Sequence, residues 1–272
     1  MAPWCSAGCW FAGVSYGMAR DVLGKVDVVL LTKNSGKVLA KCLSSVYKNV
    51  PVRRLIVVDG FSRDNTLDVI QRFDDKYRNV KVLFDSGTRA TARQRGIEAV
   101  ETEWFLFVDS DVELCKDWFK KAVAEVDGDV GAVWGIEVWS TIRSKVMLKL
   151  FLLITRKIFE LRGGTHDTLV RTSAVRDMKL PEHLHVFEDA YIKEWITKKG
   201  YKVVACYDPF CIHYRNEAVW TVRGSIAQIV DAAKSGSVKL LMKLLLAYGF
   251  YAAYAVSQIL QRNRKADDCS KK

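Results

Sequence analysis

Leu55-Ile56-Val57-Val58-Asp59-Gly60-Phe61-Ser62-Arg63-Asp64-Asn65-Thr66 decides how the rest of the chain is read. Its four apolar residues run on without alternating with polar ones, as in a strand covered on both faces. A carboxylate and a glycine end the run. Leu67, Ile70, Phe73 and Tyr77 then recur at helical spacing. A strand, a polar turn and a helix make the repeating unit of an open parallel sheet.

The same unit stands on either side. Val28-Val29-Leu30-Leu31 is followed by Val38, Leu39, Cys42, Leu43, Val46 and Tyr47 at helical period. Residues 80–84 read as a third strand and 92–100 as a third helix. Phe105-Leu106-Phe107-Val108 is a fourth strand, and Trp118, Phe119, Ala122, Val123 and Val126 a fourth helix. This alternation predicts an α/β fold with a parallel sheet and right-handed crossovers. After Asp127 the regularity decays: 130–139 and 201–207 read as strands, and 144–161, 188–199 and 220–261 as helical.

Ligands of an open α/β sheet bind beyond the carboxyl ends of its strands. The four ends here are Thr32-Lys33-Asn34, Asp59 to Asp64, Asp85-Ser86-Gly87 and Asp109-Ser110-Asp111. Asn34-Ser35-Gly36-Lys37 fits neither the glycine-rich dinucleotide turn nor a P-loop, so ordinary dehydrogenase and NTPase readings lose ground. Asp109 and Asp111, two residues apart on the turn leaving a strand, can face one divalent cation. Mg²⁺ and Mn²⁺ favour such hard oxygen ligands and bridge to substrate phosphates. The plainer reading of the triplet is an N-cap for the helix around Trp118.

Taken together, these motifs resemble family 2 glycosyltransferases. Val57 to Thr66 matches VDxxSxDxT, Thr32-Lys33-Asn34 the opening TxN, Asp109-Ser110-Asp111 the DxD and Glu188-Asp189 the later acidic pair. Ala92-Arg93-Gln94-Arg95-Gly96 is similar to ARNxG, with Gln94 where Asn is usual. The matches run in family order from about Val26 to His213. The resemblance implies a GT-A fold, with a central, mostly parallel sheet flanked by helices. It implies that Thr32, Asn34 and Asp59 contact base and ribose, that Arg93 approaches the donor diphosphate, and that Asp109 and Ser110 lie on the donor. It further implies Mg²⁺ or Mn²⁺ held by Asp109, Asp111 and His213. Asp189 is the expected catalytic base of an inverting, in-line displacement, with Glu188 the runner-up; His166 is placed on the acceptor side. The QxxRW of processive relatives is missing, which points to single transfers. The implied partners are a nucleotide-sugar donor (UDP- or GDP-linked) and a lipid-phosphate or glycan acceptor.

Composition adds context. The net charge of +11 suits anionic partners. No nucleic-acid motif accompanies it, and nucleic acid is not an expected partner. Seven scattered cysteines with no CxxC argue against a disulfide framework or a structural zinc site; Cys42 and Cys115 read as core residues on helices. Residues 1–25 read as a poorly ordered lead-in, 26–215 as the transferase domain and 216–272 as a helical segment. Within the last, 240–260 is apolar, interrupted by Lys243 and followed by Arg262, Arg264 and Lys265. That pattern, with the basic-apolar 144–161, predicts membrane association at the cytoplasmic face. Two rivals were weighed. A nucleotidyltransferase would want a GxGxR-type loop after the first strand, and a non-catalytic binding protein has no need of Asp109, Asp111 and Asp189.

Overall fold

Fourteen elements follow in chain order in the computed structural model, which describes residues 23–139, 164–184 and 188–214 together with Leu245 and Gly249. They are β1 (Val26–Thr32), α1 (Gly36–Asn49), β2 (Val52–Asp59), α2 (Thr66–Tyr77), β3 (Val80–Phe84), α3 (Arg89–Glu98), β4 (Trp104–Asp109) and β5 (Val112–Leu114). After them come α4 (Trp118–Val123), β6 (Val130–Trp139), β7 (Asp167–Arg171), α5 (Thr172–Val175), α6 (Glu188–Lys198) and β8 (Lys202–His213). The expected lead-in before residue 23, the 144–161 helix and, apart from Leu245 and Gly249, the 240–260 stretch lie outside the described residues. Among those described, no helix is long and apolar enough to cross a membrane.

The strands form one sheet in the order β3-β2-β1-β4-β7-β6-β8-β5. The half from β3 to β4 is wholly parallel, as the apolar runs predict. The other half corrects the expectation of a mostly parallel sheet, because the whole is mixed. β7 runs antiparallel to both β4 and β6, β8 is parallel to β6, and β5 is antiparallel to β8. The two strands the sequence does not announce, β5 (Val-Glu-Leu) and β7 (Asp-Thr-Leu-Val-Arg), are short and carry charges. Neither offers the unbroken apolar run that marks a strand buried on both faces.

Both faces of the sheet are covered, which explains those runs. Val28 and Leu30 of β1 face α1, α2 and α4 through Leu39, Leu43, Ile70, Trp118 and Phe119. Val29 faces the other way, toward Ala90 and Ile97 of α3 and, with Phe105 and Phe107 of β4, toward α5 and α6. Each large side chain fully removed from water here stabilises the fold by about 1.5–3 kcal/mol. Gly96 lets α3 sit close on β1, since a Cβ there would lie 2.3 Å from Val29 Cγ1.

Three local readings also change. Asp109-Ser110-Asp111 does not cap a helix. The chain stays extended through β5 to pair with β8, and α4 begins after Asp117, a residue in the left-handed region (φ 58°). Cys115 lies in the link between them and not on a helix. β8 continues past residue 207 to His213, so that histidine is in the sheet rather than beyond it. Cys42, Cys115, Cys206 and Cys211 are thiols, none in a disulfide.

Candidate active site

At the end of β2, Asp59 is fully buried and its carboxylate is taken up by its own neighbourhood. Thr32 Oγ1 at the end of β1 donates to Oδ2 at 2.7 Å, Ser62 Oγ donates to the same oxygen at 2.6 Å, and Ser62 N donates to Oδ1 at 2.8 Å. Ser62 Oγ also accepts from Asn34 N at 2.9 Å, and Asn34 Oδ1 accepts from Arg63 N at 2.8 Å. The two turns are thus laced together. Asn34 and Phe61 both have positive φ (52° and 57°). Asn tolerates that conformation, whereas for a bulky residue such as Phe it is strained and persists only where neighbours hold it. Asp64 serves two helix starts: Oδ2 accepts from Gly36 N of α1 at 3.0 Å, and Oδ1 accepts from Thr66 N of α2 at 3.0 Å. The serine and aspartates of the signature therefore build the turn, with Asp59 enclosed inside it.

The end of β4 is assembled differently. Asp109 closes the strand, Ser110 Oγ meets Ser35 Oγ at 2.7 Å, and Asp111 lies at the start of the return into β5. His213 comes from the far end of β8, opposite Val112 in the β5–β8 ladder. Its Nε2 is 2.9 Å from Asp111 Oδ1, and its Nδ1 is 3.0 Å from Glu137 Oε2 of β6. Burial disfavours the imidazolium, but hydrogen bonds to Asp111 and Glu137 outweigh it and the pKa is pushed up to about 9. Asp109, Asp111 and His213 each offer one ligand atom, all within 4.8 Å of one another. Two carboxylate oxygens and an imidazole nitrogen form a donor set that suits Mg²⁺ or Mn²⁺.

Arg93 of α3 is buried between two carboxylates. Its Nη2 is 3.1 Å from Asp109 Oδ1 and its Nε is 3.3 Å from Glu188 Oε1, while Nη1 is buried with no hydrogen-bond partner among the described residues. The arginine expected on a diphosphate thus cross-braces the DxD turn to the first turn of α6. Burial raises the Asp109 carboxyl, but the charges of Arg93, His213 and His166 prevail and hold it below the usual carboxylate range. Asp189 lies in that same first turn, half-buried, and adds to the field that keeps Arg93 charged. Arg95 behaves as an exposed surface residue, 3.8 Å from Asp85.

Behind His213 lies a polar cluster that no motif marks. His166 Nδ1 is 2.5 Å from Asp167 Oδ1, and Trp118 Nε1 donates to Asp167 Oδ2 at 2.8 Å. His166 and Asp167 are buried, and His166 Nε2 is 3.9 Å from Glu137 Oε2. Burial raises the Asp167 carboxyl, whereas the neighbouring carboxylate raises His166 against its burial. Sequence reasoning placed His166 on the acceptor side and passed over Glu137 and Asp167. The available signal was a lone acid inside an apolar strand, Ile136-Glu137-Val138.

Comparison with known proteins gives a consistent picture. The family model described as Glycosyl transferase family 2 matches residues 27–178. The poly(ribitol-phosphate) beta-glucosyltransferase of Bacillus spizizenii is 24% identical over 248 residues, 82% of this chain and 39% of that protein. The poly(ribitol-phosphate) beta-N-acetylglucosaminyltransferase TarS of Staphylococcus aureus is 30% identical over 193 residues, 65% of this chain and 32% of that protein. The chain spans about a third to two fifths of the length of these curated relatives. Among solved structures, TarS 1–349 in complex with UDP-GlcNAc is similar with TM-score 0.56 and 25% identity, over 77% of this chain and 66% of that one. A mannosyltransferase from Pyrobaculum calidifontis in complex with GDP-Man and Mn²⁺ shares the fold, with TM-score 0.61 and 17% identity over 90% and 85% of the two chains.

Proposed function

The chain belongs to glycosyl transferase family 2, and from that premise we propose that it transfers a sugar from a nucleotide sugar to a phosphate-bearing lipid or glycan, with inversion and with a divalent cation. One observation carries this: Asp109, Asp111 and His213 converge from β4, the β4–β5 turn and β8 on one point at the carboxyl end of the sheet. The TarS complex with UDP-GlcNAc, at 25% identity, supports a UDP-sugar as first choice of donor.

Asn34 and the turns that Thr32 and the buried Asp59 brace hold base and ribose, with Ser110 and Asp109 beside the ribose. Asp109, Asp111 and His213 would hold a divalent cation, which would supply positive charge against that of the departing diphosphate. Asp189 accepts the proton of the acceptor hydroxyl during attack. Arg93 keeps Asp109 and the Glu188-Asp189 turn in fixed relation, and its Nη1 makes no hydrogen bond to the described residues. Net charge +11 suits an anionic acceptor at the cytoplasmic face of a membrane, and the two curated relatives are named for poly(ribitol-phosphate).

The test is binding and hydrolysis of UDP-GlcNAc, UDP-Glc and GDP-Man with Mn²⁺, Mg²⁺ or EDTA, for wild type and Asp111→Ala. The expected result is metal-dependent binding of one donor that EDTA and the substitution both abolish. Folded protein that binds none of the three with either metal would sink the reading.

A further inference from the structure

Glu137 sits on β6 where an apolar strand has no packing use for a carboxylate: Ile136 and Val138 on either side are buried. In the β6–β8 ladder it pairs with Cys211, so by the two-residue period of a strand it shares a face with His213. The contact is direct, Oε2 to Nδ1 at 3.0 Å, and the other ring nitrogen of His213 faces Asp111 at 2.9 Å. A neutral imidazole can ligate through Nε2 only if its one proton is on Nδ1, and an acceptor at Nδ1 fixes that tautomer and the ring plane.

Glu137 is itself backed by buried charge. His166 Nε2 is 3.9 Å from the same Oε2, a charge contact and not a hydrogen bond. The far side of that ring is tied to Asp167, and Asp167 to the Trp118 indole. The backbone makes room for this arrangement. β6 and β8 slip register between Trp134 and Ile136. A Cβ on Gly135 would lie 2.1 Å from Asp167 Oδ2 and 2.7 Å from the Pro209 carbonyl oxygen. Burying a chain of ionisable groups is costly unless each is paired. Here the pairing leads from α4 through β7 and β6 to one nitrogen of His213.

We propose that Glu137 is a positioning residue: its carboxylate holds the Nδ1 proton of His213, so that Nε2 is presented to the space shared with Asp109 and Asp111, and its charge strengthens that nitrogen as a ligand. The inference rests on the proposed cation site. It adds a residue that belongs to none of the sequence motifs.

The test titrates the full chain with Mn²⁺, without donor, and follows free Mn²⁺ by electron paramagnetic resonance. Wild type, Glu137→Ala, Glu137→Gln and, as the reference for a lost ligand, Asp111→Ala are compared, with circular dichroism and melting curves alongside. Loss of an outer-shell partner costs about 10- to 100-fold in metal affinity, and Glu137→Ala is expected to lose that much. Glu137→Gln, which keeps an acceptor oxygen but not the charge, falls between it and wild type. A purely structural role would move the melting curves without this ranking. Glu137→Ala equal to a Mn²⁺-binding wild type overturns the positioning role and leaves the cation site standing. A wild type that binds no Mn²⁺ removes both. Where Glu137→Ala does not fold, Glu137→Gln decides: weaker Mn²⁺ binding supports the role, and unchanged binding overturns it.

Discussion

Asp59 and Asp111 each stand where the chain leaves a buried parallel strand, yet their surroundings are opposite. Asp59 is sealed from water and satisfied by residues 3 and 27 positions away, Ser62 and Thr32. The Asp111 side chain is 35% exposed, and its partner His213 is 102 positions away. The first end is complete once two adjacent βα units have formed. The second exists only when β5 and β8 have paired and Arg93 of α3 has met Glu188 of α6. A binding surface can be built from local turns, whereas groups that must change charge or hold an ion are gathered from several elements. The two ends should therefore fail differently when broken.

The largest effect is expected at the long-range end. With Asp189 as the proposed base, Asp189→Asn should lower transfer by about 10²- to 10⁴-fold, with donor binding and melting temperature close to wild type. Initial rates at saturating donor, with donor affinity by calorimetry, check this. A variant that loses donor binding instead would move Asp189 from the chemistry to the scaffold. Next is Arg93→Ala. It leaves Glu188 buried and Asp109 partly buried without their common cation, and breaking a buried pair this way costs about 3–5 kcal/mol. Denaturant unfolding should show that loss, and adding Glu188→Gln should recover part of it. Additivity of the two changes would mean that the brace between α3 and α6 carries little energy.

The same contrast explains what the sequence made legible. β1, β2 and β4 were readable because burial on both faces leaves an unmistakable apolar run, and their polar ends because a short motif directly follows each run. β5 and β7 were not, since a three-residue strand and a strand beginning with Asp carry no such pattern. Their place in the sheet comes from pairing with residues about 100 and 60 positions away, namely β5 with β8 and β7 with β4. His213 was picked out from the family resemblance, but its place inside β8 was missed, because the strand signal faded at residue 207. Arg93 was found for the same reason as Asp109, as part of a motif. That it faces Glu188 and not open solvent depends on α6 docking beside α3, which no local pattern encodes. Glu137 and Asp167 belong to no motif at all. Glu137 shows in the sequence only as a lone acid in an apolar strand, and Asp167 only through the cost of burying a carboxylate, which is invisible until the burial is known.

The smallest effect is expected at the local end. Ser62 Oγ donates to Asp59 and accepts from Asn34 N, so it joins the β2 turn to the β1 turn. Ser62→Ala removes both bonds but leaves Asp59 with Thr32 Oγ1 and Ser62 N, whose backbone donor survives the substitution. A typical hydrogen bond contributes about 0.5–1.5 kcal/mol net, and Asp59 keeps two of its three donors. The expected loss is accordingly about 1 kcal/mol in unfolding, with a modest rise in donor KM. Because the turn holds the donor before and during the reaction alike, kcat should stay close to wild type, the signature of uniform binding. A fall in kcat without a rise in KM would mean that the β1–β2 turn feels the transition state. The two strand ends would then act as one site, and the separation between a local binding surface and a long-range reactive one would fail.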